Sequence, residues 1–172
     1  QKTAYEIVDC DWSSDVCSSD LDEGARFVAP VRATFSANMP RESQQAGYRT
    51  QIGPVPRFVQ QVFDHDAVPD AAGRVPVALI NDQRSLGFVV DYDARRFICL
   101  QQWQAFGDGV YGFGIEPATT HWGSRADAER RGEIVWLEQG QSTQYETVLD
   151  VLDGAAARSE EHTSELQSQS TI

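Results

Sequence analysis

Short apolar segments with a two-residue period recur along most of the chain, and they are the feature that most constrains the fold. The clearest is 85–93, SLGFVVDYD, which places four apolar side chains on one face of an extended strand: Leu86, Phe88, Val90 and Tyr92. Further strands are predicted at 26–38, 58–63, 76–81, 97–103, 110–116, 133–138 and 143–152. A chain of this kind buries its apolar faces by packing one sheet against another.

Turn sequences separate these segments. PDAAG at 69–73, FGDG at 106–109 and EQGQS at 138–142 contain the residues that favour tight turns. The one helical pattern is SRADAERR at 124–131, where Ser124 and Asp127 have the spacing of a capping box. Many strands with one short loop helix predict an all-β, mostly antiparallel sandwich or barrel.

The charge of the chain excludes two classes of partner. The formal net charge is −12, whereas binding to nucleic acid or to an anionic membrane surface requires clustered Lys and Arg. No apolar run reaches the roughly 20 residues that span a bilayer. We therefore expect no nucleic-acid partner and no membrane association, and the sequence carries no signal for an oligomeric state.

The two ends of the chain are related through their DNA coding sequence, a relation that selection for folding would not produce. One DNA string encodes DWSSDVCSSDL at 11–21, and its reverse complement, in a shifted frame, encodes RSEEHTSELQS at 158–168. The string resembles a short-read sequencing adapter, and QKTAYEI at 1–7 resembles its flanking end. We therefore predict that 1–21 and 158–172 are non-native and that 22–157 is one truncated β-sandwich domain.

Setting the ends aside changes the candidates for chemistry. Cys10, Cys17 and His162 are removed, so a zinc site or a disulfide at the N-terminus is no longer expected. Cys99, between apolar neighbours, is predicted to be a buried small side chain. Residues 22–157 hold 12 Arg, no Lys and 18 acidic residues, a net charge of −6. A single free thiol is compatible with a reducing cytoplasm, where we expect the protein to act.

The strongest candidate site follows the predicted strand at 110–116. Glu116 precedes a proline, so it is expected near a strand end, where binding groups are common. His121, Trp122 and Arg125 follow within one loop. A carboxylate, an imidazole, an indole and a guanidinium suit a sugar, because an indole packs on pyranose C–H groups. The alternative is structural, with Glu116 paired to Arg125 and Trp122 packed on the sheet.

Two further groups are weaker candidates. Trp103 could line a sugar cleft, although an aromatic residue in a strand also serves as core. Asp64, His65 and Asp66 form DHD, where only the two carboxylates would share a face of a strand. Since a metal site needs further ligands from elsewhere, we predict no metal and interpret DHD as a solvated turn.

The motifs DEGARFVAP at 22–30, IEPAT at 115–119 and GSR at 123–125 resemble aldose 1-epimerase-like proteins of the galactose mutarotase superfamily. The resemblance covers nearly all of 21–152 and implies a β-supersandwich with a monosaccharide cleft. It implies anomer interconversion without a metal or redox cofactor, in which a glutamate takes the C1 hydroxyl proton and a histidine protonates the ring oxygen. It assigns Glu116 as the base.

The sequence departs from that pattern where the acid is expected. In the resembling proteins a histidine precedes the DEGARFVAP region, and here the adapter-like segment occupies that place. His121 is the possible substitute. The resemblance thus predicts a parent sugar isomerase, with the present chain an inactive fragment that exposes an open sheet edge. The alternative is a carbohydrate-binding module of the same fold without turnover.

Overall fold

The computed structural model describes residues 15–16 and 22–154, and the fold within them is almost entirely β. In chain order the strands are β1 (Asp15–Val16), β2 (Arg26–Val28), β3 (Val31–Ser36), β4 (Gln61–Ala67), β5 (Arg74–Asn81), β6 (Leu86–Asp93), β7 (Cys99–Gly107), β8 (Val110–Ala118) and β9 (Thr147–Asp153). One α-helix, α1 (Arg125–Arg131), and a 3₁₀ turn, Arg41–Ser43, complete the described elements.

The strands form two antiparallel sheets. The first has the order β1-β8-β7-β4-β3 and the second the order β2-β5-β6-β9. Their facing sides enclose one core, whose largest members are Phe27, Val75, Val77, Leu79, Val90, Tyr92, Leu100, Phe106, Phe113 and Ile115. The predicted all-β, mostly antiparallel fold is confirmed.

The alternating pattern located most strands, and two prolines explain where their ends differ. β6 matches the prediction at 85–93, and β5 and β8 run through Pro76 and Pro117. Each proline lies outside the part of its strand that pairs with the neighbour at the edge of the sheet. β2 pairs only with 78–80 of β5, and β1 pairs only with 113–114 of β8. A missing N–H therefore costs no ladder hydrogen bond on that side.

Three predicted segments were wrong. The segment 26–38 is broken at Pro30 into β2 and β3, and β4 begins later than predicted and continues through DHD. DHD is therefore strand and not a solvated turn. The segment 133–138 is no strand: Val135, Trp136 and Leu137 are exposed, and no described strand pairs with them.

The short helix has the predicted start. The Ser124 hydroxyl accepts the Asp127 N–H and the Asp127 carboxylate accepts the Ser124 N–H, which completes a capping box. Gly132 ends the helix in the left-handed conformation, with φ 73°. Both ends of α1 are thus fixed, and the loop that precedes it starts from a defined point.

Buried glutamines fasten the loop that follows the 3₁₀ turn to the first sheet. Gln61 Nε2 donates to Ala46 O and Gln104 Nε2 donates to Gly47 O, each at 3.0 Å. Gln102 Nε2 donates to Tyr48 O, also at 3.0 Å. All three glutamine side chains are fully buried. These bonds satisfy loop carbonyls that the strands cannot reach.

Cys10, Cys17 and His162 lie outside the described residues, so the prediction for the two ends stays a prediction. Cys99 is buried, as predicted, and its Sγ donates to Thr120 O at 3.0 Å. Within 22–154, none of the helices is long and apolar enough to cross a membrane.

Candidate functional site

A row of side chains crosses the face of the first sheet that is turned away from the second sheet. The strand register places Phe35 opposite Asp64, Asp64 opposite Gln101, and Gln101 opposite Glu116. Their chain neighbours Phe63, Leu100 and Ile115 are in or against the core, so the row lies on the outer face. Adjacent strands are about 4.8 Å apart, so the Asp64 and Glu116 backbones lie roughly 10 Å apart.

Trp103 lies on the same face of the sheet as Glu116. It pairs with Gly114, two residues from Glu116 along β8. Its indole is directed away from Glu116, towards Gly112, where an added Cβ would be 3.0 Å from Trp103 Cζ3. Trp103 Nε1 donates to Gln60 Oε1 at 3.3 Å. These contacts hold the indole on the outer face, farther along the sheet than the carboxylate.

His121 and Trp122 lie at the other end of the row, over Asp64. The Trp122 N–H donates to Asp64 Oδ2 at 3.1 Å. The His121 N–H donates to Glu133 Oε2 at 3.1 Å, and His121 Nδ1 is 2.9 Å from Glu133 Oε1. Arg131 holds Glu133 with two hydrogen bonds and lowers the pKa of its carboxyl group to about 2. The residues after α1 therefore position the loop before it.

A cavity of about 410 Å³ opens beside this loop. Its lining includes Phe35, Asp64, Asp66, Ile98, His121 and Trp122. Two carboxylates, an imidazole and two exposed aromatic rings resemble the mixture that a sugar requires, with apolar faces and hydrogen-bonding groups side by side.

Asp64 is the member of this site that sequence reasoning missed. Burial raises the pKa of Asp64, and the hydrogen bond from the Trp122 N–H partly opposes the rise. Asp64 Oδ1 is buried and has no hydrogen-bond partner among the described residues. The available signal was the strand period: once DHD is a strand, its carboxylates alternate with the buried His65 and share the outer face with Glu116.

Arg125 is not part of the row in this structure. Its guanidinium carbon lies 5.7 Å from the centre of the Trp136 ring, on the exposed side of α1. Of the five predicted site residues, His121 and Trp122 line one cavity, and Glu116 and Trp103 lie on the same outer face of the sheet. Asp64 and Gln101 connect the two groups across the sheet.

His65 faces the core and is separated from the outer face by its own strand. Its Nε2 lies 3.0 Å from Gln102 Oε1, and its Nδ1 lies 2.9 Å from Thr34 Oγ1. Because Gln102 uses its amino group on Tyr48 O, its oxygen faces His65, so Nε2 carries the proton. Burial lowers the pKa of His65 to about 4. His65 is a neutral structural residue here.

The fold is shared with a solved structure. A crystal structure of a protein described as a "putative aldose 1-epimerase", from Klebsiella pneumoniae subsp. pneumoniae MGH 78578, superposes with a TM-score of 0.79. The sequences are 24% identical, and the match covers 90% of this chain and 41% of that one. The chain thus spans about two fifths of the length of this neighbour and shares its fold. No curated protein matches the chain.

A family model covers most of the sequence. The model described as "Domain of unknown function (DUF4432)" matches residues 15–151, which include the outer-face row and the loop at His121. The match also includes 15–21 of the segment predicted to be non-native. The chain therefore belongs to the DUF4432 family.

Proposed function

We propose that the outer face of the first sheet binds a monosaccharide and that a protein containing this region interconverts its anomers. The observation that carries the proposal is the row from Asp64 through Gln101 to Glu116, with Trp122 beside Asp64 and Trp103 farther along the same face. Trp103 and Trp122 offer apolar faces for pyranose C–H groups. Between them, the carboxylates and the amide can exchange hydrogen bonds with hydroxyl groups. The fold shared with the protein described as a "putative aldose 1-epimerase" supports the same class of ligand.

Glu116 is the proposed base. In the reaction, its carboxylate takes the proton of the C1 hydroxyl while an acid protonates the ring oxygen, and the C1–O5 bond breaks. The C1 carbonyl turns over, the ring oxygen attacks its other face, and the two protons return to their sources. Base and acid must approach from opposite sides of the reacting bond. Glu116 is half-buried near the end of β8, where an open sheet face leaves room for the ring.

The acid is proposed to be a histidine outside the described residues. Among the described residues there are two histidines, and His65 faces the core, away from Glu116. His121 lies beside Asp64, about two strands from Glu116, with Nδ1 engaged by Glu133. We assign the acid role to neither of them, because His65 faces the core and His121 already contacts the Glu133 carboxylate. We therefore expect the 172-residue chain alone to bind a sugar without turning it over.

Polarimetry of freshly dissolved α-D-glucose and α-D-galactose tests this function. Long-read sequencing of the source DNA supplies the natural reading frame around residues 22–157, and its product is assayed beside the 172-residue chain. We expect the longer protein to accelerate mutarotation and its Glu116→Gln variant to lose at least a hundredfold in kcat, the usual scale for general acid–base catalysis. A folded longer protein that leaves the spontaneous rate unchanged would refute the isomerase.

The second candidate is a carbohydrate-binding module of the same fold. The two indoles favour it, since they serve binding alone as well as catalysis. The Glu116→Gln variant separates the two functions, because uniform binding survives a substitution that removes only proton transfer. If the longer natural protein and its Glu116→Gln variant both bind sugar, and neither accelerates mutarotation, the protein is a binding module.

A further inference from the structure

A second cavity, of about 700 Å³, lies on the other side of β3 from the row. It opens between β3 and the loop from Arg41 to Ile52, which covers the inner side of the sheet edge. Its polar lining is Thr34, Ser36, Gln44, Tyr48 and Thr50, and its apolar lining includes Val31, Ile52 and Phe63. This volume lies within the range of small-molecule sites, and neither the sugar row nor the proposed reaction uses it.

The charged residues among those that line this cavity are all arginines: Arg32, Arg41 and Arg49. This concentration of positive charge stands out in a chain whose formal net charge is −12. Arg32 shares its charge with Asp66, with Nη1 3.1 Å from Oδ2. Arg41 and Arg49 are exposed, and neither forms an ion pair with a carboxylate of the described residues. An anion is the ligand that this charge favours.

Arg49 is held in place before any ligand arrives. Its guanidinium carbon lies 5.2 Å from the centre of the Tyr48 ring, and its Nε donates to the Tyr48 hydroxyl at 3.0 Å. Tyr48 itself packs against Phe63, with ring centres 5.9 Å apart. A guanidinium that is already ordered loses less conformational entropy when it binds an anion.

The buried glutamines fix the position of the loop that carries Tyr48 and Arg49. Gln61, Gln102 and Gln104 each donate to a carbonyl of residues 46–48, all at 3.0 Å. Burying three amides is favourable only while their hydrogen bonds are kept, so this part of the loop has one position. The result is that Tyr48 and Arg49 are presented rigidly at the cavity.

Arg32 lies at a β-bulge in the strand that edges the cavity. The register of β3 and β4 shifts between Val31 and Ala33, so Arg32 is an extra residue in the ladder. Its guanidinium contacts Asp66, whose carboxylate lies on the outer face with that of Asp64. The guanidinium groups available to an anion in the cavity are therefore those of Arg41 and Arg49.

We propose that this cavity is a phosphate-binding site, for inorganic phosphate or for the phosphate group of a hydroxylated ester such as a sugar phosphate. Arginine forks match phosphate oxygens with paired hydrogen bonds, and phosphate can accept from several arginines at once. The hydroxyls of Thr34, Ser36 and Thr50 suit a hydroxylated body, and Phe63 and Ile52 supply apolar contact. The site is independent of the proposed sugar reaction because β3 separates it from Glu116.

Isothermal titration calorimetry of the full chain at constant ionic strength tests the site with inorganic phosphate, glucose 6-phosphate and glucose. We expect saturable binding of a phosphate-bearing probe and none of glucose at this site. Arg41→Gln and Arg49→Gln should each weaken binding roughly tenfold, the scale of one charge-assisted hydrogen bond. Tighter binding of glucose 6-phosphate identifies an ester site, and equal or weaker binding identifies a site for free phosphate.

Two matched variants make the test specific. Arg96→Gln removes an exposed arginine that does not line the cavity and should leave phosphate affinity unchanged. Glu116→Gln should also leave it unchanged, so failure of the sugar function and failure of the phosphate site are distinguishable. All four substitutions leave the core intact, and the thermal midpoint checks folding. The proposal is overturned if neither phosphate probe binds at 10 mM (about a hundredfold excess over roughly 0.1 mM protein), or if Arg96→Gln weakens binding as much as Arg49→Gln.

Discussion

His65 donates its Nε2 proton to Gln102 Oε1 across 3.0 Å inside the first sheet. The bond fixes both groups, because Gln102 donates in turn to Tyr48 O and His65 accepts from Thr34 Oγ1. A second proton on Nδ1 would face the Thr34 oxygen and would place an unpaired charge in the core. The pair therefore functions only with a neutral imidazole, and this makes the fold sensitive to acid.

Acid should destabilise the protein through His65. The pKa of His65 is lowered from 6.5 to about 4 in the folded state, so between these values the unfolded chain binds more protons. Stability is then lost as the pH falls from about 6.5 towards 4, by about 2 kcal/mol at pH 5. Urea unfolding at pH 7, 6 and 5 measures the change.

The control separates His65 from the carboxylates, which titrate in every variant. His65→Gln removes the titrating group, so its unfolding free energy should change less between pH 7 and 5 than that of the wild type. A wild-type slope in His65→Gln would contradict the assignment of the acid sensitivity to His65.

Removing the Gln104 side chain should destabilise the protein by about 3 kcal/mol. Gln104→Ala removes the bonds to the Gly47 carbonyl and to one N–H of the buried Gln61 amide, and it leaves a cavity at a fully buried side chain, where an unpaired buried group alone costs about 1–3 kcal/mol. Denaturant unfolding measures the loss, and Gln144→Ala, at an exposed glutamine, should change it by less than about 0.5 kcal/mol. If Gln104→Ala lowers the free energy of unfolding no more than the control does, the hydrogen bonds of Gln104 do not stabilise the fold.

The alternating pattern sufficed to predict the sheets but not the polar core between loop and sheet. β6 was predictable because Leu86, Phe88, Val90 and Tyr92 alternate with a two-residue period. Gln102 and Gln104 gave the opposite signal, since glutamine is usually exposed. Their burial depends on carbonyls of residues 46–48, which are more than 50 positions away in sequence. A local pattern carries no information about such partners.

The site was predictable only in part, for a related reason. Glu116, His121 and Trp122 are neighbours in the sequence, so their grouping could be inferred from one stretch. Asp64 joins them through the register of β4, β7 and β8, which depends on which strands pair. The error at DHD had the same origin, because a fully paired strand interior was interpreted as a turn.

Glu133 should control the order of the loop that carries His121. In Glu133→Gln the carboxylate that accepts the His121 N–H and holds Arg131 is lost. We expect the His121 amide to exchange about tenfold faster, a loss of about 1.4 kcal/mol in local stability. Amide exchange followed by NMR measures it. Asp64→Asn should accelerate amide exchange mainly at Trp122. Glu129→Gln, on the exposed side of α1, should accelerate exchange at neither the His121 nor the Trp122 amide.

Gly112 should set the position of the Trp103 indole. In Gly112→Ala the new Cβ would lie 3.0 Å from Trp103 Cζ3, closer than ordinary contact, so the ring must move by a few tenths of an ångström. Gly47→Ala is the matched control, since no atom lies within 4 Å of a Cβ at that position. Fluorine NMR of 5-fluorotryptophan-labelled protein detects the displacement, with Trp103→Phe identifying the resonance.

Trp103 shares the outer face with Glu116, so under the proposed function a displacement of its indole should also weaken sugar binding. We expect Gly112→Ala to shift the Trp103 resonance and lower sugar affinity several-fold while the far-ultraviolet circular dichroism stays unchanged, because the backbone at Gly112 has no positive φ to lose. Gly47→Ala should do neither. A shifted resonance with wild-type sugar affinity would mean that Trp103 is a packing residue, and the sugar face would then have to lie towards Trp122 alone.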